Sequence, residues 1–189
     1  MRFKLASQYA AEPGCWLDFT HVKIDEEGLR LLHEVAKESN LDKKIAAMHN
    51  GEIINSTEKR QVQHFLLRTK DNDSDIKKEV LHVREKIREF SDKVRSGALR
   101  GFTGKEIKTI VAIGIGGSYL GPEFVYEALR FDAECNLASK GFTLKFLANV
   151  DPTDFRRAIQ GIDFEESLFV IVSKTFTTAE TILNASTCR

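Results

Sequence analysis

The sequence predicts an α/β protein in which a helical N-terminal segment, residues 1–100, precedes a parallel sheet with helices on both faces, residues 101–189. Two observations predict this class. Apolar residues recur every three or four positions in the first half, which is the period of amphipathic helices. After Thr103 the pattern changes to short apolar runs, each followed by a helix-start signal, which indicates βαβ units and a doubly wound sheet.

The longest helix of the first half is predicted over residues 76–94. Its apolar stripe consists of Ile76, Val80, Val83, Ile87, Phe90 and Val94. The opposite face is charged, and Gly97 is expected to end the helix. Upstream, Asp25 and Asn55 are expected to cap two further helices, and a short helix is predicted to begin at Leu41.

The strands of the sheet are predicted over three short runs, residues 109–113, 144–148 and 168–172. The first and last runs are almost wholly apolar, as is typical of parallel strands covered on both faces. A Gly-rich turn starts the helix after the first run, and Asp151 with Pro152 starts the second. The third helix is expected to begin with a capping box formed by Thr177 and Glu180.

The loops after the strands, residues 114–118, 149–154 and 173–178, are expected to face the functional site. Ligands bind beyond the carboxyl ends of the strands in such sheets. The first loop reads GIGGS, and its glycines let an anion approach backbone N–H groups at a helix start. The alternative is a tight turn that needs glycine for packing alone. The loop lacks the dinucleotide fingerprint because Tyr119 replaces the third Gly or Ala, and the GK pair at 104–105 is no P-loop because it precedes the strand.

The third loop, SKTFTT, carries four hydroxyl residues and one lysine at a predicted strand-to-helix turn. A phosphate monoester requires several hydrogen-bond donors, which hydroxyls and N–H groups at a helix N-terminus supply. We therefore expect a phosphate site at this turn. The alternative is that Thr177 only caps the helix and that the other residues are ordinary polar loop residues.

The composition argues against several classes of partner and site. Lys plus Arg and Asp plus Glu number 28 each, so no surplus of positive charge favours nucleic acid or an anionic membrane. The five histidines are scattered without ligand spacing, so no metal site is predicted. Three cysteines without a C-x-x-C pair indicate a reducing compartment, and the N-terminus lacks the apolar core of a signal peptide. We therefore expect a cytoplasmic protein.

The predicted sheet is expected to be incomplete. Three strands are predicted between residues 109 and 172, whereas an open doubly wound sheet normally continues through further βα units. The expectation is a fragment that ends part-way through a domain.

Four segments carry a resemblance to a known family: NGEIINSTEKRQVQHFLLR (50–68), IGIGGSYLGPEFVYEALR (113–130), NVDPTDF (149–155) and SKTFTTAET (173–181). VRSG at 94–97 and FTGK at 102–105 match too. In this order the segments resemble the glucose-6-phosphate isomerases, also called phosphoglucose isomerases. The similarity runs from about Ala6 to the end of the chain. Because the family's chains are far longer, the resemblance implies that this chain is an N-terminal fragment.

The resemblance implies a sugar-isomerase fold of two αβα sandwich subdomains and a homodimeric, cytoplasmic enzyme of glycolysis and gluconeogenesis. The implied reaction interconverts glucose 6-phosphate and fructose 6-phosphate through ring opening and a cis-enediol, without a metal or an organic cofactor. The family's glutamate base, ring-opening histidine and late lysine belong to segments beyond Arg189. No catalytic residue is therefore assigned in this segment, and the chain alone is expected to be inactive.

The resemblance also assigns the substrate-binding residues. They are Gly117, Ser118, Ser173, Lys174, Thr175, Phe176, Thr177 and Thr178. Ser173, Thr175 and Thr178 are expected to contact the phosphate through their side chains, and Lys174 to contribute its backbone N–H and a nearby charge. Tyr119 stands where the family usually has Asp, which is expected to alter the packing of the helix start and not the substrate.

Two other functions compete with this interpretation. A non-catalytic phosphosugar-binding domain would need only the phosphate loop, so the match over residues 50–68 argues against it. A nucleotide-dependent oxidoreductase is disfavoured because the dinucleotide fingerprint fails.

Overall fold

The computed structural model describes residues 7–10, 14–70 and 74–189. Contacts within the chain divide it into two compact units, Met1–Val80 and Leu81–Arg189. This division lies inside a long helix, whereas the separation of a helical segment from the sheet at residue 100 stays a prediction. Residues 1–6 lie outside the described residues. Two predictions fall there: the lack of a signal peptide and the start of the resemblance at Ala6.

The described part of the first unit begins with an antiparallel pair of strands, which two α-helices follow. Strands β1 (Ser7–Ala10) and β2 (Cys15–Asp18) pair in antiparallel fashion, which the sequence did not predict. Helices α1 (Glu26–Glu38) and α2 (Leu41–His49) follow. The Asp25 carboxylate accepts a hydrogen bond from the third N–H of α1 at 2.8 Å, so the predicted cap is confirmed.

The helix predicted after Asn55 is wrong. The Asn55 side chain accepts the N–H of Glu58 at 3.1 Å, as a cap would, but Lys59 has a φ of 52° and cannot continue a helix. The segment instead closes a turn in which Asn55 and Arg60 exchange backbone hydrogen bonds at 3.2 Å. Helical structure appears later, as one 3₁₀ turn at His64–Leu67.

The long helix α3 spans Asp75–Arg95, which confirms the predicted helix. Its apolar stripe does not form a buried face, because Val94 is its only buried member and Ile87 is 63% exposed. Its end is also confirmed, because Gly97 adopts a left-handed φ of 71° and the N–H of Leu99 donates back to the Lys93 carbonyl at 2.8 Å. None of the helices within the described residues is long and apolar enough to cross a membrane.

The sheet consists of three parallel strands in the order β4-β3-β5. Their bounds are β3 Thr109–Ile113, β4 Thr143–Leu147 and β5 Ser167–Ile171. The helices are α4 Gly117–Leu129, α5 Ala133–Ala138, α6 Pro152–Ile159 and α7 Ala179–Thr187. The strands confirm the prediction to within one residue, and Asp151 caps α6 as expected by accepting the N–H of Thr153 at 2.6 Å. The short helix α5 was not predicted.

The side chains of the sheet alternate between two helical layers. Val111, Ile113 and Leu147 are fully buried and form the core with Ala158 of α6; Phe155, Ile162, Phe169, Ala185 and Cys188 pack around it. Phe146 belongs to the opposite face, because neighbouring residues of a strand point in opposite directions, and it contacts Tyr119 and Tyr126 of α4. Helices α6 and α7 therefore cover one face and α4 the other, which confirms the predicted αβα layers.

Candidate functional site

The strand order brings the first and third loops together. Because β3 lies between β4 and β5, the chain turns to one side of β3 and then to the other, and such a reversal opens a crevice at the carboxyl edge. The N–H of Val172 donates to the Ile113 carbonyl at 2.8 Å, and a Cβ placed on Gly114 would lie 3.2 Å from the Val172 oxygen. Only glycine fits this approach without displacing a neighbour, so the two loops leave the sheet in direct contact.

The first loop presents its glycine–serine pair at a helix start. Gly116 precedes α4 with φ 56° and ψ −126°, a conformation that is open to glycine and strained for other residues. Gly117 is the first residue of α4 and borders open space, since a Cβ there would meet nothing within 4 Å. Ser118 follows, half-buried. These two predicted site residues therefore sit where a ligand could reach backbone and hydroxyl donors.

The hydroxyl groups of the third loop form hydrogen bonds within the loop itself. The Ser173 hydroxyl accepts the N–H of Phe176 at 3.0 Å, and Phe176 has a left-handed φ of 54°. The hydroxyls of Thr175 and Thr177 are 2.6 Å apart and share a hydrogen bond. Lys174 is exposed, and Thr178 is half-buried. All six predicted residues of SKTFTT thus lie in one turn before α7.

The predicted capping box of Thr177 and Glu180 is wrong. Helix α7 begins at Ala179, so the N-cap residue is Thr178, and its side chain makes no capping hydrogen bond. The shift arises because the left-handed Phe176 directs Thr177 towards Thr175 and away from the helix end. Since neither Thr177 nor Thr178 uses its side chain as a cap, capping does not explain the hydroxyls of this turn.

The second loop is held by two side chains that the sequence analysis missed. Asp154 accepts the N–H groups of Ala148 and Asn149 at 3.2 and 3.1 Å. From α7, the Asn184 amide donates to the Asn149 carbonyl at 3.0 Å. A polar residue at a core-facing helix position was the available signal for Asn184. The Thr153 N–H that Asp151 accepts is the main reason that the pKa of Asp151 lies below its usual value.

Tyr119, the residue after the glycine–serine pair, packs on the sheet. Its ring meets Phe146 of β4 edge-on, with ring centroids 5.6 Å apart. A hydrogen bond to Glu123, with some burial, raises the pKa of the Tyr119 hydroxyl above its ordinary value. The Tyr119 side chain therefore contacts residues of β4 and α4. Among the described residues, no three His, Cys, Asp or Glu side chains lie close enough together to hold a metal ion.

Comparison with known proteins places this geometry in a family. A model of the family described as phosphoglucose isomerase matches residues 18–189. A cytosolic glucose-6-phosphate isomerase from Arabidopsis thaliana is 50% identical over 93% of this chain and 32% of its own length. One from Oenothera sinuata var. hirsuta is 46% identical over 92% of this chain and 32% of its own length.

The crystal structure of a glucose-6-phosphate isomerase from Chlamydia trachomatis D/UW-3/Cx has the same fold, with a TM-score of 0.73 at 26% sequence identity. That match covers 100% of this chain and 36% of the other. The chain thus spans about a third of the length of the relatives that it matches. Because the family model covers most of the sequence and the sheet has the matching architecture, the chain belongs to the phosphoglucose isomerase family.

Proposed function

We propose that this chain supplies the phosphate-binding loops of an aldose–ketose isomerase that interconverts glucose 6-phosphate and fructose 6-phosphate. The observation that carries the proposal is the hydroxyl-rich turn of residues 173–178 at the start of α7, beside the glycine turn that follows β3. Relatives that carry the name glucose-6-phosphate isomerase support the choice of substrate. We extend the proposal to a cytoplasmic whole protein, since the plant relatives are named cytosolic. The homodimer is proposed only because the resemblance implies it.

The phosphate would be held by neutral donors and the field of a helix. Ser173, Thr175 and Thr178 offer hydroxyls, and the N-terminus of the nine-residue helix α7 favours an anion. Lys174 adds a backbone N–H and a positive charge, while Gly117 and Ser118 approach from the neighbouring loop. A local site of this kind is required because the chain as a whole has no net charge.

These contacts act at a distance from the reacting carbons. Isomerisation opens the sugar ring and moves a proton between C1 and C2 through a cis-enediol, whereas the phosphate is attached at C6. Binding energy from a remote group aligns the substrate, but proton transfer also needs a positioned base. The residues assigned here hold the phosphate and none is assigned as that base. We therefore propose that these loops bind the phosphate in the whole protein and that the 189-residue chain alone has no isomerase activity.

Titration calorimetry of the whole protein with glucose 6-phosphate, inorganic phosphate and glucose tests the phosphate site. Both phosphates are expected to bind and glucose is not. Thr175→Val and Thr178→Val should each weaken binding roughly tenfold or more, since a hydrogen bond to a charged group contributes about 1.5–3 kcal/mol. Thr143→Val is the matched control and should bind normally. Thr143 is the first residue of β4, so it lies at the amino-terminal ends of the strands, away from the loops. Unchanged affinity in both site variants would remove the site.

A coupled assay with fructose 6-phosphate tests whether the 189-residue chain lacks the residues that catalyse isomerisation. The chain alone should show no turnover, whereas the whole protein should convert the substrate without added cofactor. Turnover by the chain near that of a full-length family enzyme would show that the base lies within these residues. Sugar-phosphate binding by a whole protein that lacks isomerase activity would instead indicate a non-catalytic phosphosugar-binding domain.

A further inference from the structure

Asn184 is a polar side chain on the core-facing side of α7. It is only 6% exposed, and Thr181, one turn earlier, is 2% exposed. Its neighbour Ala185 packs against the core formed by the sheet and α6. A buried amide must satisfy its donors, so the position of its partner constrains the whole helix.

The partner is a backbone group of a distant loop. The Asn184 amide donates to the Asn149 carbonyl at 3.0 Å, across 35 residues of sequence. The Asn149 N–H in turn donates to the Asp154 carboxylate of α6 at 3.1 Å. Side chains from both helices therefore hold the two backbone groups of Asn149, and the loop after β4 becomes a fixed reference point for α7.

The hydrogen bond from Asn184 to Asn149 is the tether of α7, and it lies close to the hydroxyl-rich turn of residues 173–178. Asn184 is six residues after Thr178, which corresponds to a rise of about 9 Å along a helix. A helix of nine residues moves as one body, so an anchor at Asn184 limits both its rotation and its sliding along the sheet. Thr178 forms the N-cap of that body, and a change in its position displaces the donors of residues 175–178.

We propose that Asn184 is a positioning residue for the phosphate-binding turn: through Asn149 it sets where the N-terminus of α7 lies at the carboxyl edge of the sheet. This inference rests on the proposed function of that turn. A purely structural amide would contribute to the stability of α7 and leave the affinity for phosphate unchanged. A positioning residue affects the affinity because donors displaced by a fraction of an ångström no longer match the ligand.

Three variants separate these roles. Asn184→Leu keeps the approximate volume and removes the donor. Asn184→Asp keeps the size and polarity and replaces the donor with an acceptor, so it decides the question where the first variant fails to fold. Ala185→Gly destabilises the same helix through its backbone and leaves the tether intact, which makes it the matched control.

The measurements, made on the whole protein, are the dissociation constant for glucose 6-phosphate and the amide ¹H–¹⁵N resonances of this region. Both Asn184 variants are expected to bind about tenfold more weakly, with displaced resonances at Asn149 and at residues 175–178. Ala185→Gly should lower the melting temperature and bind like the wild type. Wild-type affinity in a folded Asn184 variant would overturn the positioning role and leave the proposed function standing. Absence of binding by the wild type would refute the proposed function, and this inference with it.

Discussion

Gly114 and Gly121 are seven positions apart, and their surroundings differ. A Cβ on Gly114 would lie 3.1 Å from the Ser118 Cβ and 3.2 Å from the Val172 oxygen, so a side chain there forces the two loops apart. Gly121 lies inside α4, and a Cβ there would meet nothing within 4 Å. The first glycine is required by close packing, whereas the second only weakens its helix.

We expect the two substitutions to differ in their cost. Gly114→Ala should lower the free energy of unfolding by about 1–2 kcal/mol, as overpacking does. Gly121→Ala should change it by less than about 0.5 kcal/mol, because the smaller loss of backbone entropy is opposed by contact of the new methyl group with the ring of Pro122. Urea unfolding of both variants beside the wild type measures the difference. Equal losses in both would contradict this account of Gly114.

Lys77 supports a second prediction at this scale. It is 5% exposed, and its ammonium donates to the carbonyls of Leu66 and Thr69, the latter at 2.6 Å. Lys77→Met keeps the aliphatic stem and leaves both carbonyls without this donor, so it should destabilise the chain by about 1–3 kcal/mol. Lys78→Met is the control, because Lys78 forms an exposed ion pair with Asp75, and such pairs contribute about 0–1 kcal/mol. Equal urea midpoints for the two variants would show that the buried contacts are unimportant.

Among the elements, those with strong local signals were predictable from the sequence. Helix α3 has a long amphipathic period, and Asp25 and Asp151 form the caps expected of them. The β1–β2 hairpin was missed because strands of four residues are too short to show a period. The helix after Asn55 was predicted wrongly, because a hydrogen bond like that between Asn55 and the Glu58 N–H occurs in isolated turns as well as at the start of helices.

The candidate site was predictable only in part. Its loops follow from the rule that ligands bind at the carboxyl edge of parallel strands, and SKTFTT stands out through its hydroxyls. The contact of Gly114 with Val172 depends on the strand order, which short apolar runs do not specify. The hydrogen bond from Asn184 to Asn149 depends on the relative placement of α7 and β4, so no local sequence pattern predicts it.

Three loops of the second unit share a feature that makes them sensitive to acid. Asp132, Asp151 and Asp163 each accept backbone N–H groups, and this is the largest cause of a pKa below the usual 3.8. A carboxyl group with a lowered pKa stabilises the fold above its unfolded pKa, and this contribution is lost as the pH falls through the lowered value. The fold should therefore lose stability below about pH 4.

Thermal unfolding between about pH 7 and pH 2 checks this expectation. The melting temperature of the wild type should fall steeply at the acid end. Asp151→Asn is expected to fall less steeply while remaining close to the wild type at pH 7, because asparagine still accepts the Thr153 N–H and caps a helix well. An acid profile identical to that of the wild type would show that the cap does not contribute to the loss.

At the scale of the whole molecule, the described part of the chain exposes several large apolar side chains. In α4, Phe124 is 73% exposed and Leu120 is 59% exposed, and Phe131 just beyond the helix is 81% exposed. Strand β5 forms one edge of the described sheet, and its Ile171 is 40% exposed. Contiguous apolar surface and an open strand edge are features that promote association.

We therefore expect the isolated 189-residue chain to associate. Helices on the faces of the sheet cannot satisfy the outward N–H and C=O groups of β5, so the edge remains a template for another strand. Size-exclusion chromatography should show early, concentration-dependent elution. Phe124→Lys, which places charge on the exposed surface of α4, should shift the elution towards the monomer, and exposed Lys86→Glu on α3 controls for a general effect of altered charge. A sharp wild-type monomer peak with cooperative unfolding above roughly 45 °C, the lower end for mesophilic domains, would show that these residues form a self-sufficient folding unit.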